Sequence, residues 1–235
     1  MSGPAVARAL SLALSPPDPA TLADLGRLAA ALAAAPPGEP LAAPLRALAD
    51  AVPDPADEGA AVDAAAAYEE VFGRTVRLAP CEGSQERDPF RQARRMADVA
   101  AFYRAFGADA GGPLRERPDH VGCELEFLAF LGLARAGAEA EGRAADAEVC
   151  REAEDRFIEE HVGAWVPALC RAIPGLTESP LLVAAAALGE RYVEAEVRER
   201  GLRPRPLSLR GERSEVEQDA LTCGECPAAG GRRRG

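Results

Sequence analysis

The stretch Glu116-Arg117-Pro118-Asp119-His120 sets a carboxylate beside an imidazole where a loop rich in Gly, Pro and charge gives way to an apolar-periodic segment. A helix start carries unpaired backbone N–H groups, and Asp119 is suited to accept from them as the N-cap. His120 then falls in the first turn, where the positive end of the helix dipole favours its neutral form. Glu124 follows one turn later in Cys123-Glu124-Leu125-Glu126-Phe127-Leu128, beside the apolar stripe. Together with Asp98 and Glu116, Glu124 forms a candidate acidic groove. Carboxylates hold guanidinium groups in a bidentate manner, so the ligand selected would be an Arg-bearing peptide. The residues alone leave open an ordinary cap with an exposed histidine and a solvated helix flank.

Other chemistries find less support. The chain has only 2 His residues, and although Asp119-His120 with Cys123 has a loosely metal-like spacing, Cys123 is expected to face the core. Ser84 sits in a loop with no strand before it, and no Gly-x-Ser-x-Gly occurs. All 27 basic residues are Arg, which excludes a Walker-type phosphate-loop lysine and a Schiff-base lysine. Cys223-Gly224-Glu225-Cys226 is a lone C-x-x-C pair, whereas zinc and iron–sulfur sites normally take four ligands. It reads either as a reduced pair in a tail or as a metal contact made between chains or with a client. The alternative function is therefore a metal-binding (zinc or iron–sulfur) helical enzyme or assembly factor that uses Cys223 and Cys226. No resident cofactor is expected.

The net charge of −11 opposes a nucleic-acid role and suits a basic partner, although solubility alone would also account for it. No apolar run is long enough to cross a bilayer, so stable membrane insertion is not expected. Met1 to Leu14 lacks a charged leader region and is cut off by Pro16 and Pro17, so it does not read as a signal peptide and a cytoplasmic location follows. The 6 cysteines are then expected as thiols.

The elements that position these residues are helical. Hydrophobic residues make up 48% of the chain but aromatics only 5%, so Ala and Leu must fill the core, and both are strong helix formers. Leu22, Leu25, Leu28 and Leu32 recur at helical spacing behind Asp18-Pro19, and Pro36-Pro37-Gly38 ends that helix. Further helices are predicted over 41–51, from about Pro55 to a stop at Gly73, from Asp88-Pro89 to Phe106, and from Asp119 through the Val121–Leu131 stripe. Others follow over 141–161, 163–172 and 178–200. Leu78 to Pro89 reads as a loop. The predicted fold class is all-α: a single bundle-like domain over 1–200, with 201–235 as a flexible tail carrying the C-x-x-C pair.

Read together, residues 68–131 resemble the TorD/DmsD/NarJ family of redox-enzyme maturation chaperones. The resemblance rests on Tyr68-Glu69-Glu70-Val71-Phe72, Pro80-Cys81-Glu82-Gly83-Ser84, the run Met96 to Gly107, Glu116-Arg117-Pro118-Asp119-His120 and Glu124-Leu125-Glu126-Phe127-Leu128. The family pattern Glu-Pro-x-Asp-His is matched at Glu116, Asp119 and His120, with the proline displaced to Pro118. The resemblance implies an all-α, non-enzymatic chaperone. Such a protein binds the twin-arginine signal peptide, or a mature segment, of a molybdoenzyme catalytic-subunit precursor until molybdopterin cofactor is inserted. It places client binding at Asp119 and His120. The residues themselves add Glu116, Glu124 and Asp98 as the acidic groove and Tyr68, Phe72 and Tyr103 as neighbouring candidates, and a homodimer is left open. The resemblance does not extend past Arg200, so Cys223 and Cys226 inherit nothing.

Overall fold

The computed structural model describes residues 3–34, 40–73, 77–108 and 117–209. Among these lie nine α-helices: α1 (Gly3–Ala13), α2 (Pro19–Ala33), α3 (Ala42–Ala51), α4 (Glu58–Phe72), α5 (Pro89–Ala105), α6 (Val121–Ala140), α7 (Ala144–Phe157), α8 (Gly163–Ala172) and α9 (Pro180–Arg200). The fold is all-α, and β structure among the described residues is confined to one isolated antiparallel bridge between Cys81 and His120. Several helix starts follow directly from sequence. Asp18 accepts from Ala20 and Thr21 with Pro19 at the first helical position, Asp57 caps α4, and Asp88 accepts from Phe90 ahead of Pro89.

α6 lies at the centre, packed on α1 along one side and α7 along the other, while α9 closes the bundle against α8, α3 and α1. Trp165, Phe157, Leu10, Leu25, Leu125 and Leu131 are among the fully buried side chains. α6 buries Val121, Leu125 and Leu128 together with Phe127, Ala129 and Gly132, so its apolar residues run around more than one face.

Two segments depart from expectation. Residues 3–13, whose sequence gave no core signal beyond a short apolar run, form a helix with Val6, Ala7, Ala9 and Leu10 buried. The segment after Arg200, expected to be tail, packs back on the domain. Arg203 N donates to Glu159 Oε1 at 3.0 Å, Leu207 N donates to Ala164 O at 2.8 Å, and Leu209 is buried. The folded unit therefore extends to Leu209; Cys223 and Cys226 lie outside the described residues.

α1 and α6 approach closely because Gly132 has no side chain: a Cβ there would stand 2.3 Å from Pro4 Cγ. Gly137, also on α6, has nothing within 4 Å of a Cβ. Gly132→Ala should therefore cost about 1–3 kcal/mol by overpacking. Gly137→Ala should stabilise by roughly 0.5–1 kcal/mol through helix propensity. Denaturant melts of the two variants beside wild type check the opposite signs.

Candidate functional site

Asp119, His120 and Tyr68 come together where the loop before α5 meets the start of α6. The loop over 77–88 contains a 3-10 turn at Gly83–Gln85 and runs antiparallel to 119–121. Glu82 N donates to Asp119 O and Val121 N donates to Pro80 O, each at 2.8 Å. Gln85 braces the loop from within, its Nε2 donating to Ala79 O at 2.9 Å and Cys81 O at 3.2 Å.

Asp119 is fully buried but is not the cap of α6. Its Oδ2 accepts from Gly83 N at 2.9 Å, and its two oxygens accept from Arg117 Nε at 2.9 Å and Nη2 at 2.7 Å. A long-range donor has won over the local helix N–H groups. Gly83 is required at this approach, since a Cβ would stand 2.8 Å from Asp119 Oδ2 and 2.9 Å from Gln92 O. Arg117 Nη1 also reaches Ser84 Oγ at 3.3 Å.

The N-cap is His120, whose Nδ1 accepts from Gly122 N at 3.0 Å. The expectation of a first-turn histidine behind an Asp119 cap is corrected: His120 is itself the cap, and its ring is 1% exposed, which rules out the alternative of an exposed histidine. Because Nδ1 accepts, Nε2 carries the proton and faces Tyr68 Oη at 3.1 Å. Burial, helped by the Arg117 charge, lowers its pKa from 6.5 to about 4 despite the opposing Asp119 carboxylate. His120 is thus neutral near pH 7, with both ring nitrogens occupied.

The predicted residues do not share one surface. Glu124 is interior, its Oε2 accepting from Trp165 Nε1 at 2.9 Å while Oε1 has no partner among the described residues. Burial first, and the nearby Glu82 carboxylate second, push its pKa well up and hold the carboxyl neutral. Glu124 therefore cannot line an acidic groove with Asp98, which is exposed on α5. Tyr68 and Phe72 are buried side by side, with ring centroids 5.0 Å apart. Tyr103 is buried against Phe127 at 4.5 Å and donates its hydroxyl to Pro118 O at 2.7 Å. Cys123 is half-buried rather than in the core, and Glu116 lies outside the described residues.

The residues that sequence reasoning missed are Glu82, Arg95, His161 and Trp165. Glu82 is fully buried and accepts from Arg95 Nη1 at 3.0 Å, while His161 Nδ1 lies 2.8 Å from its other oxygen. A π-helical turn at Ile158–Val162 carries His161. Glu82 and His161 are 79 residues apart, beyond the reach of any local pattern; their sequence signal was only that Glu82 sits inside the Pro80–Ser84 block.

Beside this junction, α5 and α7 enclose a groove of about 460 Å³. Its apolar wall is Ala101, Phe102, Ala105, Phe106, Val149 and Ala153, and Asp98, Glu152, Glu160 and Arg156 stand along it. Val149 is 55% exposed. The Arg156 guanidinium lies 5.5 Å from the Phe102 ring centroid and 3.3 Å from Glu160. The groove therefore already accommodates a guanidinium between an aromatic face and a carboxylate. Among the described residues no group of three or more His, Cys, Asp or Glu is arranged to hold a metal ion, and no helix is long and apolar enough to cross a membrane.

Residues 35–171 match the family described as nitrate reductase delta subunit, a span that contains the bridge, the loop and the groove. The chain is 40% identical over 100 residues to the selenate reductase assembly chaperone protein of Thauera selenatis, covering 43% of this chain and 50% of that protein. It is 31% identical over 104 residues to the perchlorate reductase assembly chaperone protein of Dechloromonas aromatica (strain RCB), covering 44% and 46%. It is 35% identical over 98 residues to the chlorate reductase assembly chaperone protein of Ideonella dechloratans, covering 42% and 49%. The chain thus spans about half the length of the curated relatives it matches.

The lowered His120 pKa fixes the sign of a pH effect. The unfolded chain takes up this proton as pH falls through 6.5, while the folded protein resists until about 4. His120 therefore stabilises fully above 6.5, and that stability is lost as pH falls towards 4. Relative to His120→Gln, wild type should lose up to about 3 kcal/mol between pH 7 and pH 4. Urea melts of both proteins at a series of pH values measure the difference, and a constant difference would contradict it.

Proposed function

The chain belongs to the nitrate reductase delta subunit family, and from that premise we propose that it is an assembly chaperone, a binding protein rather than an enzyme. Its client is a molybdoenzyme catalytic-subunit precursor. The bound element is the precursor's twin-arginine signal peptide, or an equally basic and apolar segment, held in the cytoplasm until molybdopterin cofactor is inserted. The printed names of the relatives, assembly chaperones of three reductases, support the chaperone role.

The observation that carries the binding mode is the α5–α7 groove. Arginines of the client pair with Asp98, Glu152 and Glu160, and its apolar run lies on Phe102, Phe106 and Val149. Arg156, seated over Phe102 and against Glu160, is the internal precedent for that chemistry. Asp119 and His120 serve as positioning residues. They fasten the loop and the α6 start that α5 rests on, through the Tyr103 hydroxyl on Pro118 and the Arg95 Nη1 hydrogen bond to Glu82.

Calorimetry with a synthetic peptide carrying two adjacent arginines and an apolar run tests the reading. Binding should weaken as salt rises, because the charge contacts are exposed. Asp98→Asn with Glu160→Gln should weaken binding about five- to tenfold while leaving the melting temperature within a few degrees. Val149→Asp should weaken it further by charging the apolar wall. Variants that bind like wild type would remove the groove from the site.

A further inference from the structure

A second cleft, of about 720 Å³, adjoins the groove and shares Asp98 and Glu160 with it. On a chain with a net charge of −11, this cleft is lined by Arg91, Arg94, Arg95, Arg203 and Arg205. Its carboxylates are already engaged. Glu86 pairs with Arg95 at 3.5 Å, Asp98 with Arg94 at 3.8 Å and Glu160 with Arg156 at 3.3 Å, while Glu159 accepts from Arg203 N. The guanidinium groups of Arg91, Arg203 and Arg205 have no carboxylate within 4.0 Å among the described residues. His161 stands in the same wall, 3% exposed, with Nε2 lacking a protein partner. The spare guanidinium groups of Arg91, Arg203 and Arg205 on one concave surface are a site for anionic groups.

The cleft's place decides what those anions belong to. It continues the groove proposed above for the client, and the two meet at Asp98 and Glu160, where the client's arginines would displace Arg94 and Arg156 from exposed surface pairs. We infer that the bound client segment is bipolar: acidic side chains occupy the Arg91–Arg203–Arg205 cleft, on the far side of the paired arginines from the apolar run. Resting on the groove reading, this inference adds the chemistry and order of the partner: acidic residues, then arginines, then the apolar stretch. The segment over 202–209 takes on a role here, since its anchoring through Leu207 and Leu209 is what brings Arg203 and Arg205 to the cleft.

The test uses the full chain and three synthetic peptides, all with two arginines followed by an apolar run. One carries three Asp or Glu residues ahead of the arginines, a second carries Ser and Gln there, and a third carries the acids after the apolar run. Wild type should bind the first about tenfold more tightly than the other two. In the Arg91→Gln, Arg203→Gln, Arg205→Gln variant that preference should vanish while affinity for the Ser/Gln peptide stays the same. Equal affinity of wild type for the first and second peptides, with both bound, overturns the inference and leaves the groove standing. Failure of wild type to bind any of the peptides defeats the groove reading and the inference with it. Inorganic pyrophosphate is the fourth probe. If it binds wild type at micromolar concentration and the triple variant does not, with no effect of peptide acidity, the cleft serves a small anion and the inference is overturned.

Discussion

The Asp119 carboxylate, buried and shared between the Gly83 N–H and the Arg117 fork, is the interaction on which the site depends. It joins the loop over 77–88, whose own helical structure is one 3-10 turn, to the turn that precedes α6. Once it is made, the bridge between Cys81 and His120 has a fixed register, and Glu82 is carried into the interior to meet Arg95 and His161. Those contacts set the pose of α5, which is otherwise fastened through Val99, Tyr103 and the edge-to-face contacts of Phe102 with Phe157 and of Phe106 with Phe127. Removing one partner of a buried charged pair generally costs several kcal/mol, because the other is left desolvated. The cluster therefore fixes geometry whether or not it adds net stability.

Buried acids in this small volume meet different fates. Glu82 is surrounded by donors from α5 and the π-helical turn, whereas Glu124 faces an indole N–H and another carboxylate. A carboxyl with one neutral donor and a like charge nearby is cheaper to keep protonated than ionised. Glu124 then behaves as a polar core residue hydrogen-bonded to Trp165. The charge available to a ligand lies instead on the outer faces of α5 and α7.

Much of the fold was legible because Pro, Gly and Asp punctuate it. Asp18-Pro19 and Asp88-Pro89 mark helix starts by a local mechanism, and the structure follows them. The errors lie where distant partners compete with local ones. Asp119 looked like a cap because nothing in sequence shows Gly83 N–H arriving from 36 residues away. Residues 3–13 read as a short apolar run because no polar face marks a helix buried nearly all round. The stretch 202–209, rich in Pro and Arg, read as tail because its anchors are single leucines without periodicity. Of the residues lining the proposed groove, sequence singled out Asp98 but not Glu152, Val149 or Glu160, since a groove between two helices is a property of their packing.

Family membership and geometry meet in the surface formed by α5 and α7: an apolar wall with carboxylates along it, held by a buried polar junction. The central claim is that this surface holds the client, and photo-crosslinking examines it most directly. A twin-arginine peptide with a photoreactive residue in its apolar run is irradiated with the full chain, and adducts are mapped by mass spectrometry. Adducts should fall on residues 101–106 of α5 and 149–156 of α7, and excess unlabelled peptide should suppress them. Suppressible adducts confined to another face, such as α2 and α3, would contradict the account.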